Sequence, residues 1–306
     1  MRFGEVKVIP VGGHGPEDVV VDAEGQVYTG LADGRILRLS PDGSRIEKIA
    51  HTGGRPLGLE LHGEDELLVC DANLGLLTVG INGGKVTTLA TEALGLKLVF
   101  CNNAAVAQDG TIYFTDSSRR FPITHWRDDL IEQTAGGRLL RRDTDGTIDL
   151  VADGLQFANG VALPPDESFV AVAETGSFKV TRVWLTGDKA GTVDTLLDDL
   201  PGFPDNISTG SDGLIWVTQA SPKVPALDVV RKLPSPLRSL VRSLPPGLQP
   251  APKREVGVLG VAADGTVERE LRGEIDGWHM LTGVREHGGK LYLGSLDEPA
   301  IAVTSV

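Results

Sequence analysis

The sequence is poor in cysteine, in aromatic residues and in positive charge. Its 306 residues include two cysteines, Cys70 and Cys101, which excludes a scaffold held together by disulfides. Both fall in predicted buried strands, so we expect inert thiols rather than a bridge. Lys and Arg number 29 against 42 Asp and Glu, a net charge of −13. Such an acidic surface argues against nucleic-acid binding, because phosphates require basic surfaces.

Long apolar runs are also missing. No stretch approaches the roughly 18 apolar residues of a membrane-spanning helix. The first residues, Met1–Glu5, lack the apolar segment of a signal peptide. We therefore expect a cytoplasmic protein without a membrane span.

Glycine and proline, by contrast, are abundant. The chain has 39 glycines and 18 prolines, which is typical of many short strands joined by tight turns. A hydrophobic content of 41% supports a sizeable core, and single all-β domains of this length are common. We expect residues 1–306 to form one all-β domain.

A four-strand pattern recurs along the chain, at roughly the forty-to-fifty-residue period of propeller blades. Asp-Gly pairs, which favour tight hairpins, separate the β-rich runs; they are Asp33-Gly34, Asp42-Gly43, Asp109-Gly110, Asp145-Gly146, Asp212-Gly213 and Asp264-Gly265. The sixth blade has only three strands, and the alternating segment Gly4–Val11 supplies the fourth, which removes an exposed edge. The prediction is a six-bladed β-propeller of four-stranded blades, closed by its N-terminal strand.

Six short segments open the predicted inner strands, and equivalent positions of a radial repeat converge on one axis. Four of the six carry a carboxylate or carboxamide side chain at the same place: Glu17, Asn102, Asn159 and Asp205. Two carboxylates and two amide oxygens form a site suited to Ca²⁺. A lone Asn at a strand end is usually a turn or capping residue, but four in register favour a metal site.

Two long insertions, residues 117–136 in blade 3 and 220–254 in blade 5, lie between second and third strands. If inner strands begin at the metal-bearing mouth, both insertions lie on that face. The second has apolar and basic residues at helical spacing, which predicts one or two short amphipathic helices. We favour a lid over an apolar pocket. The alternatives are surface helices without a function, or a patch that faces a membrane or a partner.

Several segments resemble the strictosidine synthase-like proteins, and among them the adipocyte plasma membrane-associated protein branch. That group lies in the calcium-dependent propeller superfamily of paraoxonases, SMP-30/gluconolactonases and diisopropylfluorophosphatase. The resemblance covers nearly the whole chain, and the run Pro201–Ile207 is its most specific motif. The other segments are Arg55–Leu59, Tyr113–Ser118, Phe157–Val161, Ala173–Thr175 and Leu291–Ser295.

The resemblance implies catalytic calcium ligands at Glu17, Asn102, Asn159 and Asp205, with Asn206 adjacent to the last. These positions agree with those chosen from the repeat alone. It also implies a second, buried metal site at Asp18 and Asn103, where an Asn in place of a carboxylate lowers the ligand charge.

Two departures from the family pattern bear on chemistry. Leu57 stands where paraoxonases have a histidine proposed as general base, and Thr282 stands where strictosidine synthase has its essential glutamate. For proton transfer this leaves Asp205, a metal-bound water, and His279, which precedes an inner strand on the mouth face. The residues predicted to line the substrate pocket are Leu57, Phe121, His125, Trp126, Trp278 and Thr282.

The functional prediction is a calcium-dependent hydrolase of lactones or esters, of lactonase or arylesterase type, with an apolar small-molecule substrate under the lid. Promiscuous hydrolysis of phosphotriesters is a further predicted activity. The first alternative is a non-catalytic propeller that binds a small molecule or protein and holds calcium structurally. A strictosidine synthase-type condensing enzyme is a third reading, which loses support from Thr282 because condensation needs an acid–base carboxylate there.

Overall fold

Six antiparallel four-stranded sheets surround a central axis in the computed structural model, which describes residues 1–306 with the side chain of Pro246 excepted. The first strand of every blade lies beside the first strands of the two neighbouring blades, so the six inner strands form a closed ring. The predicted six-bladed β-propeller is confirmed.

Each blade runs from its inner strand to its outer strand in chain order. Blade 1 contains Val19–Val21, Val27–Gly30, Arg35–Leu39 and Ile46–His51. Blade 2 contains Pro56–His62, Glu66–Asp71, Gly75–Gly80 and Val86–Ala90. Blade 3 contains Cys101–Val106, Ile112–Asp116, Gly137–Arg142 and Ile148–Leu155. Blade 4 contains Ala158–Ala162, Phe169–Glu174, Lys179–Trp184 and Val193–Leu197. Blade 5 contains Gly202–Thr209, Ile215–Pro222, Val256–Val261 and Val267–Gly273. Blade 6 contains Leu281–His287, Lys290–Ser295 and Ala300–Ser305.

The fourth strand of blade 6 comes from the N-terminus. Val6–Pro10 pairs antiparallel with Ala300–Ser305, in a register that places Val6 opposite Thr304 and Pro10 opposite Ala300. The predicted closure is therefore confirmed. It satisfies the backbone groups of a strand that would otherwise be an open edge.

The Asp-Gly turns form as predicted. All six glycines have φ between 73° and 93°, a range that residues with a Cβ rarely adopt. In all six turns the Asp carboxylate accepts a hydrogen bond of 2.8–3.2 Å from the backbone N–H two residues later. The local sequence alone therefore fixes these reversals.

Apolar side chains fill the spaces between blades. Val20 and Tyr28 of blade 1, for example, pack with Leu67 and Val69 of blade 2, and five further clusters occupy the remaining spaces. The cluster between blades 4 and 5 extends towards the mouth. Both cysteines are free and buried, as predicted.

Three α-helices lie in the two insertions: α1 is Trp126–Glu132, α2 is Pro225–Arg231 and α3 is Ser235–Arg242. Proline in the first turn of α2 and of α3 favours helix initiation. The 3₁₀ turns are Ile123–His125, Gly187–Lys189 and Pro246–Leu248. Sequence reasoning anticipated helices in 220–254 but missed α1, and also missed the short hairpin Glu92–Ala93/Leu96–Lys97. Among the helices that the structure describes, none has the length and apolarity needed to cross a membrane.

Candidate metal centre and substrate cavity

The inner strands of blades 2 to 6 all contain a β-bulge at the same place. The pairing register shifts between Cys101 and Ala104 in blade 3, for example, and between Ala158 and Val161 in blade 4. Equivalent shifts occur in blades 2, 5 and 6. A bulge leaves residues unpaired and re-aims their side chains. The first bulged residue of every such strand, together with Glu17 of blade 1, lines one cavity; the set is Glu17, Leu57, Asn102, Asn159, Asp205 and Thr282.

The structure therefore brings together the four predicted metal ligands, Glu17, Asn102, Asn159 and Asp205, which we call the upper ring. Sequence reasoning found them through their common phase. It did not predict the bulges, so its strand boundaries near the site differ from the observed ones; the fourth blade was expected to open at Gly160 and opens at Ala158.

The second bulged positions alternate between a polar residue and glycine around the axis: Asp18, Gly58, Asn103, Gly160, Asn206 and Gly283. A Cβ added to Gly58 would lie 2.6 Å from the Cα of Asn103 in the next blade. A Cβ added to Gly160 or Gly283 would likewise lie 2.6 or 2.7 Å from the Cα of the polar residue in the next blade. Each glycine thus admits a polar residue from the next blade. We call Asp18 and Asn103 the lower layer.

The two upper-ring amides are held in one orientation by their own N–H groups. Asn102 donates through Nδ2 to Ser117 Oγ (2.9 Å), and Ser117 donates to the carbonyl oxygen of Ala158 in blade 4 (2.6 Å). Asn159 donates to Thr175 Oγ1 (3.1 Å), which donates to the carbonyl oxygen of Pro204 in blade 5 (2.7 Å). These hydrogen bonds fix each amide and tie neighbouring blades together.

A third amide, Asn206, donates through Nδ2 to both carboxylate oxygens of Glu17, at 3.2 and 3.1 Å. In the part of the chain that the structure describes, three buried side-chain oxygens have no hydrogen-bond partner, and they are Asn102 Oδ1, Asn159 Oδ1 and Asn206 Oδ1. A buried acceptor without a partner costs about 1–3 kcal/mol. Three of them beside two carboxylates fit a hard cation with oxygen ligands.

The chemistry of this donor set favours Ca²⁺ over a transition metal. Among the described residues no group of three or more His, Cys, Asp or Glu side chains lies close enough to hold a metal. The centre instead combines two carboxylates with amide oxygens, which suits calcium rather than zinc or copper.

Burial raises the pKa of both upper-ring carboxyl groups. The Glu17 side chain is buried, and desolvation, followed by the charges of Asp205 and Asp18, raises its pKa well above the usual range. Asp205 is partly exposed on the cavity floor, and desolvation raises its pKa to about 8. Burial is the largest cause of both shifts, and neighbouring carboxylates add to it.

The lower layer has its oxygens occupied. Asp18 accepts hydrogen bonds from the backbone N–H groups of Val19 (2.8 Å) and Leu59 (3.0 Å) and from Asn103 Nδ2 (3.3 Å). Asn103 Oδ1 accepts from the N–H of Val161 (2.9 Å). These bonds connect blades 1 to 4, so Asp18 and Asn103 fit a structural belt better than a second metal site.

A protein cation also lies near Asp18. Arg285 of blade 6 pairs with Glu60 of blade 2 at 2.9 Å, so this ion pair links the two blades that flank blade 1. Desolvation raises the pKa of Asp18 to about 6, and the charge of Arg285 opposes that shift.

The cavity above the upper ring has an empty volume of about 860 Å³, its open mouth included. The first insertion contributes Trp126 and Leu130, and the second contributes Val224 and Leu227, so both insertions cover the end of the propeller that carries the candidate metal centre. The polar floor under apolar walls can hold a substrate with one polar reacting group and an apolar body.

Of the six predicted pocket residues, Leu57, Trp126 and Thr282 line the cavity and three do not. The predictions for Trp278, His125 and Phe121 need correction. Trp278 is buried between blades 5 and 6 and donates through Nε1 to the carbonyl oxygen of Ala300 (2.8 Å). His125 is largely exposed, and its Nδ1 lies 2.8 Å from the Asp128 carboxylate. Phe121 packs under Arg242, whose guanidinium carbon lies 5.1 Å from the centroid of the Phe121 ring.

His279 also lies outside the cavity lining. Its Nδ1 is paired with Glu298, and its carbonyl oxygen accepts a hydrogen bond from Ser295 Oγ (2.7 Å). The topology placed this loop correctly on the mouth face, but the side chain is directed to Glu298, while the next residue, Met280, lines the cavity.

Sequence reasoning missed the aromatic wall formed by Phe100, Phe157 and Phe203. Each stands two residues before an upper-ring residue, and Met280 holds the same position before Thr282. The repeated spacing Phe-x-Asn or Phe-x-Asp was the signal that would have identified them.

Arg55, the equivalent residue of blade 2, was also missed. Its guanidinium is buried and donates through Nη1 to the carbonyl oxygen of Gly15 (2.8 Å). The positive charge opposes the rise in the pKa of Glu17. A Cβ on Gly15 would meet Arg55 Nη2 at 2.7 Å, so glycine is required for this approach.

Comparison with known proteins points in one direction. The sequence profile of strictosidine synthase matches residues 87–188, and the strictosidine synthase-like N-terminal profile matches residues 2–39. Strictosidine synthase-like protein 13 of Arabidopsis thaliana is 36% identical over 76% of this chain, which spans 64% of that protein's length, less than two thirds. The adipocyte plasma membrane-associated protein of Rattus norvegicus is 35% identical over 96% of this chain and 84% of its own length.

Solved structures share the fold at low identity. A gluconolactonase of Xanthomonas campestris superposes with a TM-score of 0.70 at 17% identity, covering 99% of this chain and 91% of its own. Regucalcin of Agrobacterium tumefaciens, a calcium-binding protein, superposes with a TM-score of 0.67 at 12% identity, covering 100% and 95%. At these identities the likeness shows the fold alone.

Proposed function

The chain belongs to the strictosidine synthase-like family, and we propose that it is a calcium-dependent hydrolase of lactones or esters with apolar substrates. The observation that carries the proposal is the set of three buried amide oxygens without partners, on Asn102, Asn159 and Asn206. Asn102 and Asn159 line an apolar cavity together with the carboxylates of Glu17 and Asp205, and Asn206 is bonded to Glu17. The described functions of two proteins of the same fold, a gluconolactonase and a calcium-binding protein, support the same reading.

The residues that would hold calcium are the upper ring and Asn206. Bound there, calcium would polarise a substrate carbonyl and stabilise negative charge on its oxygen. The hydrogen bonds from Asn102 to Ser117 and from Asn159 to Thr175 hold the amides in place before any ligand arrives. Such preorganisation lowers the cost of binding charge at the cavity floor.

Asp205 is the residue we assign to bond making. Its carboxyl group lies on the cavity floor, within reach of a substrate placed against the upper ring. It acts either as nucleophile on the carbonyl carbon or as base that takes a proton from water through a carboxylate oxygen.

The walls and the insertions select the substrate. Phe100, Phe157 and Phe203 surround the floor, and Trp126 and Leu227 cover it from the insertions. These side chains exclude water and bind an apolar acyl or lactone body, which favours such substrates over sugar lactones.

A condensing activity of the strictosidine synthase type lacks its acid–base group. Thr282 stands at that position, and its hydroxyl donates a hydrogen bond to the carbonyl oxygen of Glu17 (2.7 Å). It therefore positions the backbone of a metal ligand rather than moving a proton.

One observation favours a second candidate, a non-catalytic propeller that binds a small molecule or protein. Among the described residues that line the cavity there is no histidine, and His279 is engaged with Glu298. In that case calcium would be structural, and Asp205 would be a ligand only.

The test combines calcium binding with hydrolysis. The purified chain is titrated with Ca²⁺ by calorimetry and assayed on aryl esters, γ- and δ-lactones and phosphotriesters, with calcium and with chelator. We expect binding of one ion per chain and turnover of apolar lactones or esters that stops on chelation and returns with added calcium. Binding without turnover of any class would favour the non-catalytic candidate, and no calcium binding would overturn both.

A further inference from the structure

Helix α3 directs its polar side towards the protein and its apolar side towards solvent, which is the reverse of an ordinary surface helix. Its polar side faces the protein: Ser239 donates to the Glu132 carboxylate of α1 (3.1 Å), and Arg238 lies 3.4 Å from the same carboxylate. Arg242, one turn further, is 3.9 Å from it. The Glu132 side chain is 4% exposed, so these contacts are buried. An amphipathic helix in a soluble protein normally buries its apolar side instead.

The apolar side of α3 faces solvent. Leu237 and Leu240, one turn apart, are 47% and 63% exposed. Val229 of α2 is 63% exposed, and Leu248, in the 3₁₀ turn after α3, is 69% exposed. Single exposed apolar residues are common, but four in one 20-residue segment next to a cavity mouth are typical of an interaction surface.

The charge of this segment is opposite to that of the whole chain. Residues 220–254 contain seven Lys and Arg and one Asp, in a protein of net charge −13. Lys232, Lys253 and Arg254 are exposed, whereas Arg238 and Arg242 face Glu132 and Lys223 pairs with Asp199. A segment with exposed apolar side chains and exposed cations, whose only acid, Asp228, is half-buried, matches an anionic lipid surface, because the apolar groups enter the acyl boundary and the cations meet the headgroups. Pairing of two copies through this face would bring like charges together.

We propose that the outer face of α3, with Val229 and Leu248, docks on the surface of a bilayer that contains anionic lipids. Both insertions cover the cavity mouth, so docking turns the mouth towards the membrane. An apolar ligand can then pass between the lipid phase and the cavity with little exposure to water. The proposal goes beyond the hydrolase function and holds or fails independently of it.

The test is co-sedimentation of the full chain with vesicles of phosphatidylcholine alone or with phosphatidylserine added. We expect binding to the anionic vesicles that weakens with salt. The double variant Leu237→Ser/Leu240→Ser should lower the partition coefficient about tenfold or more, because two apolar side chains no longer enter the lipid. The matched control is Leu150→Ser/Val193→Ser, which alters two exposed apolar residues of outer strands, 44% and 56% exposed, and should bind like the wild type.

Charge and self-association are tested separately. Lys232→Glu/Arg254→Glu should weaken binding to anionic vesicles several-fold, because two cations that meet the headgroups are reversed. Thermal melting checks that all variants fold. The proposal is overturned if the wild type does not sediment with anionic vesicles, or if the leucine variant and the control lose binding equally. It is also overturned if the leucine variant merely converts a dimer to a monomer in light scattering, which would make the face a contact between copies.

Discussion

The upper ring and the lower layer are adjacent in sequence, but they differ in whether their side-chain oxygens have hydrogen-bond partners. Asn102 leaves its carbonyl oxygen without a partner, while the next residue, Asn103, has its oxygen bonded to the N–H of Val161. Glu17 carries a carboxylate with a strongly raised pKa, while Asp18 accepts three hydrogen bonds and has the charge of Arg285 nearby. One layer is complete without a ligand and the other is not.

The difference separates a structural layer from a functional one. Buried polar groups are ordinarily paired, since an unpaired acceptor destabilises the fold. The lower layer follows this rule and links four blades. The upper ring breaks it at Asn102 and Asn159, and Asn206, bonded to Glu17, breaks it a third time; we propose that a cation binds at this place. Polar residues at the axis of a propeller are therefore best classified by their unpaired atoms rather than by residue type.

The largest effect should come from removing the negative charge of Asp205. In Asp205→Asn the volume and a ligating oxygen remain, but neither a nucleophilic nor a basic carboxylate is present. We expect kcat/KM for the best substrate to fall about a thousandfold or more at saturating calcium. Turnover near that of the wild type with calcium bound would remove Asp205 from the chemistry and favour the binding function.

Breaking the lower layer should affect stability instead. Asp18→Ala leaves the N–H groups of Val19 and Leu59 and the amide of Asn103 without their acceptor, which should cost about 2–4 kcal/mol of unfolding free energy. Chemical denaturation measures the loss, with the exposed Glu64→Ala as control. Should calcium affinity collapse while stability is retained, the assignment of the two layers would be reversed.

For the upper ring we expect a smaller change, and it should appear in calcium affinity rather than in stability. Asn102→Ala removes a buried oxygen without a partner, which should stabilise the fold, and the hydrogen bond from Nδ2 to Ser117, whose loss should destabilise it, so the metal-free stability should change little. Calcium affinity should fall about tenfold or more, or roughly 1.4 kcal/mol. Calorimetry measures the affinity, and the exposed Asn73→Ala serves as control. An unchanged affinity would place the cation elsewhere.

The smallest effect is a gradual change in the stability of the metal-free protein with pH. Burial raises the pKa of Asp205 from 3.8 to about 8, so the metal-free folded protein holds this proton more tightly than the unfolded chain does. The associated stability is present below pH 4 and is lost as the pH rises towards 8; Glu17 shifts in the same direction. Melting temperatures in chelator should therefore fall between pH 5.5 and 8, and added calcium should remove most of the decline. A flat profile in chelator, with metal loss verified, contradicts this view of the upper ring.

Much of the site followed from the repeat. Glu17, Asn102, Asn159 and Asp205 were found because inner strands recur with one phase, and a radial fold turns equal phase into proximity. The bulges that aim these residues were not foreseen, since a register shift depends on pairing with the second strand. Trp278 and His279 were misplaced because a loop's position on the mouth face does not fix the direction of its side chains. Glu298 and the interface between blades 5 and 6 fix it instead.

The sequence by itself determined what local and periodic forces control: strand alternation, Asp-Gly reversals, the number of blades and the phase of the candidate metal ligands. Only the tertiary structure decided which oxygens have partners. Asn103 accepts a hydrogen bond from the N–H of Val161 in the next blade, while Asn102 and Asn159 donate to Ser117 and Thr175, whose hydroxyls bond carbonyl oxygens of the next blade. The tertiary structure also decided that α3 turns its leucines outwards, since the buried Glu132 holds the arginine side of the helix against α1. Long-range packing, which no local pattern encodes, made both choices.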